Sequence, residues 1–104
     1  MTPARVVGSN LRRLRDREGI TQEEVSLRAE VHRTQISVYE GGHRLPGTLV
    51  VVKLAASLSA TPDDLLAGLS WTPGSYEHGR FVIGEGDLLK GGRPSPIPKT
   101  GPLP

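Results

Sequence analysis

Apolar residues punctuate positions 21–40 at Val25, Ala29, Val31, Ile36 and Tyr39. The step of four from Val25 to Ala29 keeps one face of a helix, and the step of three from Ile36 to Tyr39 keeps one face of another. Ala29 and Val31 lie too close together to share a helical face, so the chain must turn between them. The pattern predicts two short helices joined by an abrupt turn. Thr21 is placed to cap the first helix. Glu24, three residues on, completes a capping box in which two orphan amides are satisfied reciprocally. Gly19, just ahead, suits the left-handed residue that closes a preceding helix.

The second helix carries its polar residues where they attract attention. His32 and Arg33 stand at its beginning, and Thr34, Gln35, Ser37 and Val38 surround its apolar stripe. A helix laid in the major groove of DNA presents its N-terminal side chains to base edges. On that reading His32, Arg33 and Thr34 go in first. A solvated face on an ordinary helical hairpin would show the same pattern over so short a segment.

A longer series of motifs separates these readings. Leu11-Arg12-Arg13-Leu14-Arg15, Gly19 to Val25, Ile36-Ser37-Val38-Tyr39-Glu40-Gly41-Gly42 and Arg44-Leu45-Pro46 follow one another without gaps. Lys53 to Leu58 and Thr61 to Leu66 complete the series. Over about residues 6 to 69 the chain resembles the Cro/C1-type (XRE-like) helix-turn-helix regulators of phages and bacteria. The resemblance implies an all-α fold, a five-helix lambda-repressor-like DNA-binding domain. It puts Gln22 at a phosphate contact, and His32, Arg33, Thr34, Ser37 and Val38 where base edges or flanking phosphates are met. Arg44 would reach backbone or minor groove, and Arg15 and Glu40 would form a structural ion pair. Glu30 stands where the family commonly has Gly, because the chain there turns left-handed. A non-Gly residue in that conformation costs on the order of 1 kcal/mol. Ser26 takes the place of a small Ala where the two helices touch.

Composition changes the picture only in part. With Trp71, Phe81, Tyr39 and Tyr76 as the aromatics, the core must be aliphatic. Val7, Leu11, Leu14, Val25, Val31, Ile36, Val51, Leu54, Leu58, Leu65 and Leu66 are its expected members. The chain has no cysteine, hence no disulfide framework or thiolate metal site, which suits a reducing cytoplasm. No apolar run approaches the ~20 residues of a membrane span, and the N-terminus lacks a signal-peptide core. The net charge of +2 says little; its distribution says more. Arg5, Arg12, Arg13, Arg15 and Arg17 face only Asp16 and Glu18 in the opening segment. Arg28, Arg33, His43 and Arg44 surround the presumed reading surface. Phosphate neutralisation needs such a local basic face, although Arg12 and Arg13 are expected simply to solvate the first helix.

The last third differs in character. Thirteen of the 35 residues from 70 to 104 are Gly or Pro. Two β-prone pieces, 70–73 and 80–83, flank a Gly/Ser/Tyr loop, and residues 91–104 read as a disordered tail. The expected organisation is a DNA-binding domain at 1–69, a β-prone extension at 70–90 and the Pro/Gly-rich tail at 91–104. An unaided hairpin is marginal, so Trp71 and Phe81 are expected to pack on the helices or on a second subunit.

Catalysis finds no foothold. His32, His43 and His78 lack metal-binding spacing, and Gly84-Glu85-Gly86 is not a phosphate loop. Asp63 and Asp64 suit the first turn of a helix after Thr61 and Pro62. The expectation is a non-enzymatic, cofactor-free and metal-free regulator of transcription, more repressor than activator, binding double-stranded DNA as a homodimer. Two alternatives stay open: an antitoxin-like repressor with a toxin partner, and a protein-interaction module that uses the same fold and recruits through residues 70–104.

Overall fold

The computed structural model describes residues 1–74 and 78–84. Five helices lead into a small sheet: α1 (Pro3–Glu18), α2 (Gln22–Ala29), α3 (Arg33–Glu40), α4 (Thr48–Ser57), α5 (Pro62–Leu65), β1 (Leu69–Thr72) and β2 (Arg80–Ile83). Tyr76 and the expected tail at 91–104 lie outside the described residues, as does the end of the extension beyond Gly84.

Local chemistry sets the boundaries. Thr2 caps α1 by accepting from the Arg5 amide at 3.2 Å, with Pro3 at the first position. Gly19 closes that helix left-handed at φ 69°, a conformation glycine adopts without a Cβ penalty. Thr21 caps α2 by accepting from the Glu24 amide at 3.1 Å. The return half of the expected box is absent: the Glu24 carboxylate instead takes a hydrogen bond from Arg28 one turn on, at 3.0 Å. The reciprocal box forms at α5, where Thr61 accepts from the Asp64 amide and Asp64 accepts from the Thr61 amide. Between α2 and α3 the chain turns through Glu30 at φ 55°, ψ 46°, so a non-Gly residue holds the left-handed position.

The core is aliphatic. Leu11 and Leu14 of α1, Val25 of α2, Ile36 of α3, Leu54 and Leu58 at α4, and Leu65 of α5 are buried together, and Tyr39 seals one side. Two expected members differ. Leu66 is exposed, because Leu65 beside it takes the inward position of a single-turn helix; Val31 is half-buried at the cluster's rim. Val6, Ala29, Ala55 and Ala67 are buried as well. Short helices such as these are not stable alone, and this shared face holds them.

Two devices set how α1 meets its neighbours. At Gly8 an added Cβ would lie 2.3 Å from the Tyr39 carbonyl oxygen and 2.9 Å from that of Glu40, so the missing side chain lets α1 cross the end of α3 closely. Two residues on, buried Asn10 donates from Nδ2 to the carbonyls of Leu65 (2.8 Å) and Ala67 (3.0 Å), while its Oδ1 accepts from Arg13. These bonds tie the end of α5 to α1 and satisfy carbonyls that a helix end leaves open.

The strands pair antiparallel, with Leu69 opposite Ile83, Ser70 opposite Val82, Trp71 opposite Phe81 and Thr72 opposite Arg80. Leu69 and Ile83 are half-buried, and β2 packs on α1. Trp71 and Phe81 do not cover the helices, the first of the two places expected for them. They remain 54% and 55% exposed and pack on each other edge to face at 5.0 Å.

Candidate nucleic-acid interface

Helix α3 has two opposed faces. At about 100° per residue, Arg33, Ser37, Thr34 and Val38 fall on one side, and Ile36 and Tyr39 on the other. The first group is exposed apart from half-buried Val38, whereas Ile36 and Tyr39 are buried. The core therefore grips α3 by one side and leaves a forked cation, two hydroxyls and a branched apolar side chain on the other.

His32 stands apart from this row. Its Nδ1 accepts from the Thr34 amide at 3.1 Å, making it the N-cap of α3. With Nδ1 engaged by the helix, Nε2 is the ring nitrogen left for an outside contact. The sequence places His32 at the DNA and gives no sign of this capping role, because His is not among the usual N-cap residues.

The orientation of α3 is fixed at its far end. Arg15 of α1 donates from Nε to one Glu40 carboxylate oxygen at 2.7 Å and from Nη2 to the other at 3.0 Å. Its Nη1 reaches the Ile20 carbonyl between α1 and α2. Gln22, the first residue of α2, donates from Nε2 to the same carboxylate at 3.1 Å. One carboxylate thus joins α1, α2 and α3. The Glu40 side chain is only 6% exposed and that of Arg15 16%, so the pair is poorly screened by salt. The hydrogen bonds that Arg15 donates to Glu40 raise the Arg15 pKa further above its already high ordinary value. Gln22, expected at a phosphate, is half-buried and has one amide N–H beyond the bond to Glu40.

Beyond α3, Gly42 takes φ 74° where an added Cβ would lie 2.6 Å from Arg5 Cγ, and the chain runs out through exposed His43 and Arg44. Arg28 does not belong to this surface as expected. It donates to the Ser57 carbonyl and pairs with Glu24. Arg17 likewise donates to the Leu58 carbonyl. Both cap the C-terminal end of α4, where carbonyls need donors and the helix dipole favours a cation. Arg12 and Arg13 are solvent-exposed on α1.

Among the described residues no group of three or more His, Cys, Asp or Glu is placed to hold a metal ion. No described helix is long and apolar enough to cross a membrane.

Comparison with known proteins agrees with this geometry. The helix-turn-helix domain family matches residues 8–70. An uncharacterized HTH-type transcriptional regulator of Sinorhizobium fredii is 36% identical over 73 residues, covering 70% of this chain and 95% of that protein. The restriction-modification controller protein C.AhdI of Aeromonas hydrophila superposes with a TM-score of 0.58 at 29% identity, over 60% of this chain and 94% of its own. A hypothetical transcription factor from Neisseria gives 0.60 at 28% identity, over 62% and 75%. The clp gene regulator ClgR of Corynebacterium glutamicum shares the fold, with a TM-score of 0.61 at 23% identity over 64% and 70%. A domain match across more than half of the chain, a near-complete relative and the α2–turn–α3 geometry lead to one assignment: the chain belongs to the Cro/C1-type helix-turn-helix family of transcriptional regulators.

Proposed function

We propose that the protein is a sequence-specific DNA-binding regulator that reads the major groove with α3 and represses by occupying its operator as a homodimer. The observation that carries this is the row Arg33, Thr34, Ser37 and Val38, turned outward from a helix whose other face and far end are fixed. A rigid helix with a polar outer face is what base readout needs. Arg33 grips a guanine through its fork, Val38 meets a thymine methyl, and Thr34 and Ser37 contact base edges or phosphates.

Around this row the remaining groups position the domain. Gln22 uses its second amide N–H on a phosphate, His32 offers Nε2 beside the helix start, and Arg44 follows the backbone or minor groove. The helical part, 1–69, binds DNA, and the extension at 70–90 serves protein contact. The test is selection of duplexes from a random pool by the full chain, followed by titration of the recovered duplex and a scrambled one at two salt concentrations. Selection of an inverted repeat with a salt-dependent, sequence-dependent affinity is the expected result. Equal affinity for both duplexes would remove the reading.

A further inference from the structure

The hairpin carries an apolar face whose outer half the helical domain leaves uncovered. Residues directly opposite in an antiparallel pair share a face, so Leu69, Ile83, Trp71 and Phe81 lie together on one side of the sheet. The inner pair is half-buried, whereas the outer pair, Trp71 and Phe81, is more than half exposed. The indole is held in place. It stands edge to face with Phe81, and a Cβ on Gly79 would come within 2.4 Å of its Cζ2. A preset aromatic surface loses little conformational freedom when it is covered.

We propose that this face is covered by the same face of a second copy, and that the contact forms only when DNA brings two protomers together. The proposal rests on the DNA-reading function above and adds its interface. The size of the patch decides the second half. An aromatic side chain carries roughly 150–250 Å². With about half of each ring exposed, the pair offers on the order of 200 Å² per protomer, or ~400 Å² across a twofold axis. A stable specific interface buries about 1,200–2,000 Å², so the patch is too small to hold a dimer in dilute solution. Neighbouring half-sites raise the effective concentration of one protomer at the other to the millimolar range, where a small apolar contact suffices. The identity of the occupant follows from the reading surface. An eight-residue α3 touches too few base pairs to select a site alone, and a twofold pair reads two half-sites. A self-complementary apolar face is the kind of surface a twofold contact uses.

The experiment uses the full chain, a duplex it selects from a random pool, and the same duplex with one half scrambled. Trp71 is the chain's single tryptophan, so its emission reports the face directly in the wild-type protein. The chain should sediment as a monomer at micromolar concentration. On the full duplex two copies should bind with cooperativity on the order of tenfold or more, and emission should shift to the blue. The half duplex should bind one copy without that shift. A Trp71→Thr/Phe81→Thr variant, verified as helical by circular dichroism, should keep half-duplex affinity and lose the cooperativity. Val82→Thr, on the opposite face, should keep both. A stable dimer without DNA, an unchanged emission with two copies bound, or undiminished cooperativity in the double variant would each overturn the proposal. Recovery of no duplex at all would instead remove the DNA-reading function, and this inference with it.

Discussion

Arg15 holds both carboxylate oxygens of Glu40, at 2.7 and 3.0 Å, and so locks the end of α3 to the last turn of α1. Losing one partner of a fully buried pair costs about 3–5 kcal/mol, because a charge is left without its counterpart. Arg15 retains some solvent access, so Arg15→Ala should destabilise the domain by roughly 3 kcal/mol, the low end of that range. Chemical denaturation measures it. Arg15→Lys should recover only part, since an ammonium cannot match the forked geometry. The pH dependence follows from the sign of the shift. A folded-state pKa above the unfolded value contributes stability that is complete below the unfolded value and is lost only as pH rises through the folded one. For arginine that window lies far above neutrality, so the difference between wild type and variant should be flat from about pH 6 to 9.

Glu30 occupies the left-handed turn between α2 and α3 at φ 55°. An L side chain there is strained by about 1 kcal/mol, whereas glycine is not, although its unfolded chain has more freedom to lose. The two effects oppose each other, and strain is the larger. Glu30→Gly should raise stability by about 0.5 kcal/mol. A drop in the denaturation midpoint would show that the turn is relaxed with glutamate.

Gly8 separates two arguments with opposite signs. Helix propensity alone favours Gly8→Ala by about 1 kcal/mol. The new methyl would sit 2.3 Å from the Tyr39 carbonyl oxygen, a backbone atom. Overpacking of this kind costs about 1–3 kcal/mol or more. The substitution should therefore destabilise, and also weaken DNA binding, since it pushes α1 from the end of the reading helix. Increased thermal stability would mean that α1 and α3 part easily.

Asn10 reaches from α1 to carbonyls 55 and 57 residues away. Asn10→Ala leaves both without a donor, at about 1–3 kcal/mol. Because α5 is a single turn, the loss should be local. Amide exchange should rise first in α5 and the hairpin, ahead of α2 and α3.

What could be read from sequence was local and periodic. Thr21, Gly19 and the spacing from Val25 to Tyr39 mark α2 and α3 through nearest-turn chemistry, and the β-prone pieces around Trp71 and Phe81 lie where the strands form. What could not be read depends on distant partners. Asn10 looks like any polar residue on a helix until α5 folds against it. Arg17 and Arg28 look like part of a basic surface until the end of α4 presents its carbonyls. Glu24 suits a capping box equally well as an ion pair with Arg28, and only the structure chooses. Leu65 and Leu66 are equivalent by composition, and the single turn of α5 admits one of them to the core. The outward row on α3 was legible because Ile36 and Tyr39 fix the opposite face. The use of His32 as a cap was not, since His lies outside the usual capping set.

Arg33 is the position at which specificity should be tested. It opens α3, is exposed, and carries a fork that fits the O6 and N7 acceptors of guanine. Gln22 differs in kind: its amide is bound to Glu40, and what remains can offer one N–H to a phosphate, which is the same on every sequence. Arg33→Ala should therefore cost about 1–3 kcal/mol on the selected duplex and much less on a scrambled one, narrowing the ratio between them. Gln22→Ala should weaken both duplexes alike. Anisotropy titrations of both duplexes with each variant, at one fixed salt concentration, make the comparison. Equal losses on the two duplexes would reassign Arg33 to a phosphate. A loss confined to the selected duplex in Gln22→Ala would mean that Gln22 acts through Glu40, on the seating of α3, more than on the backbone.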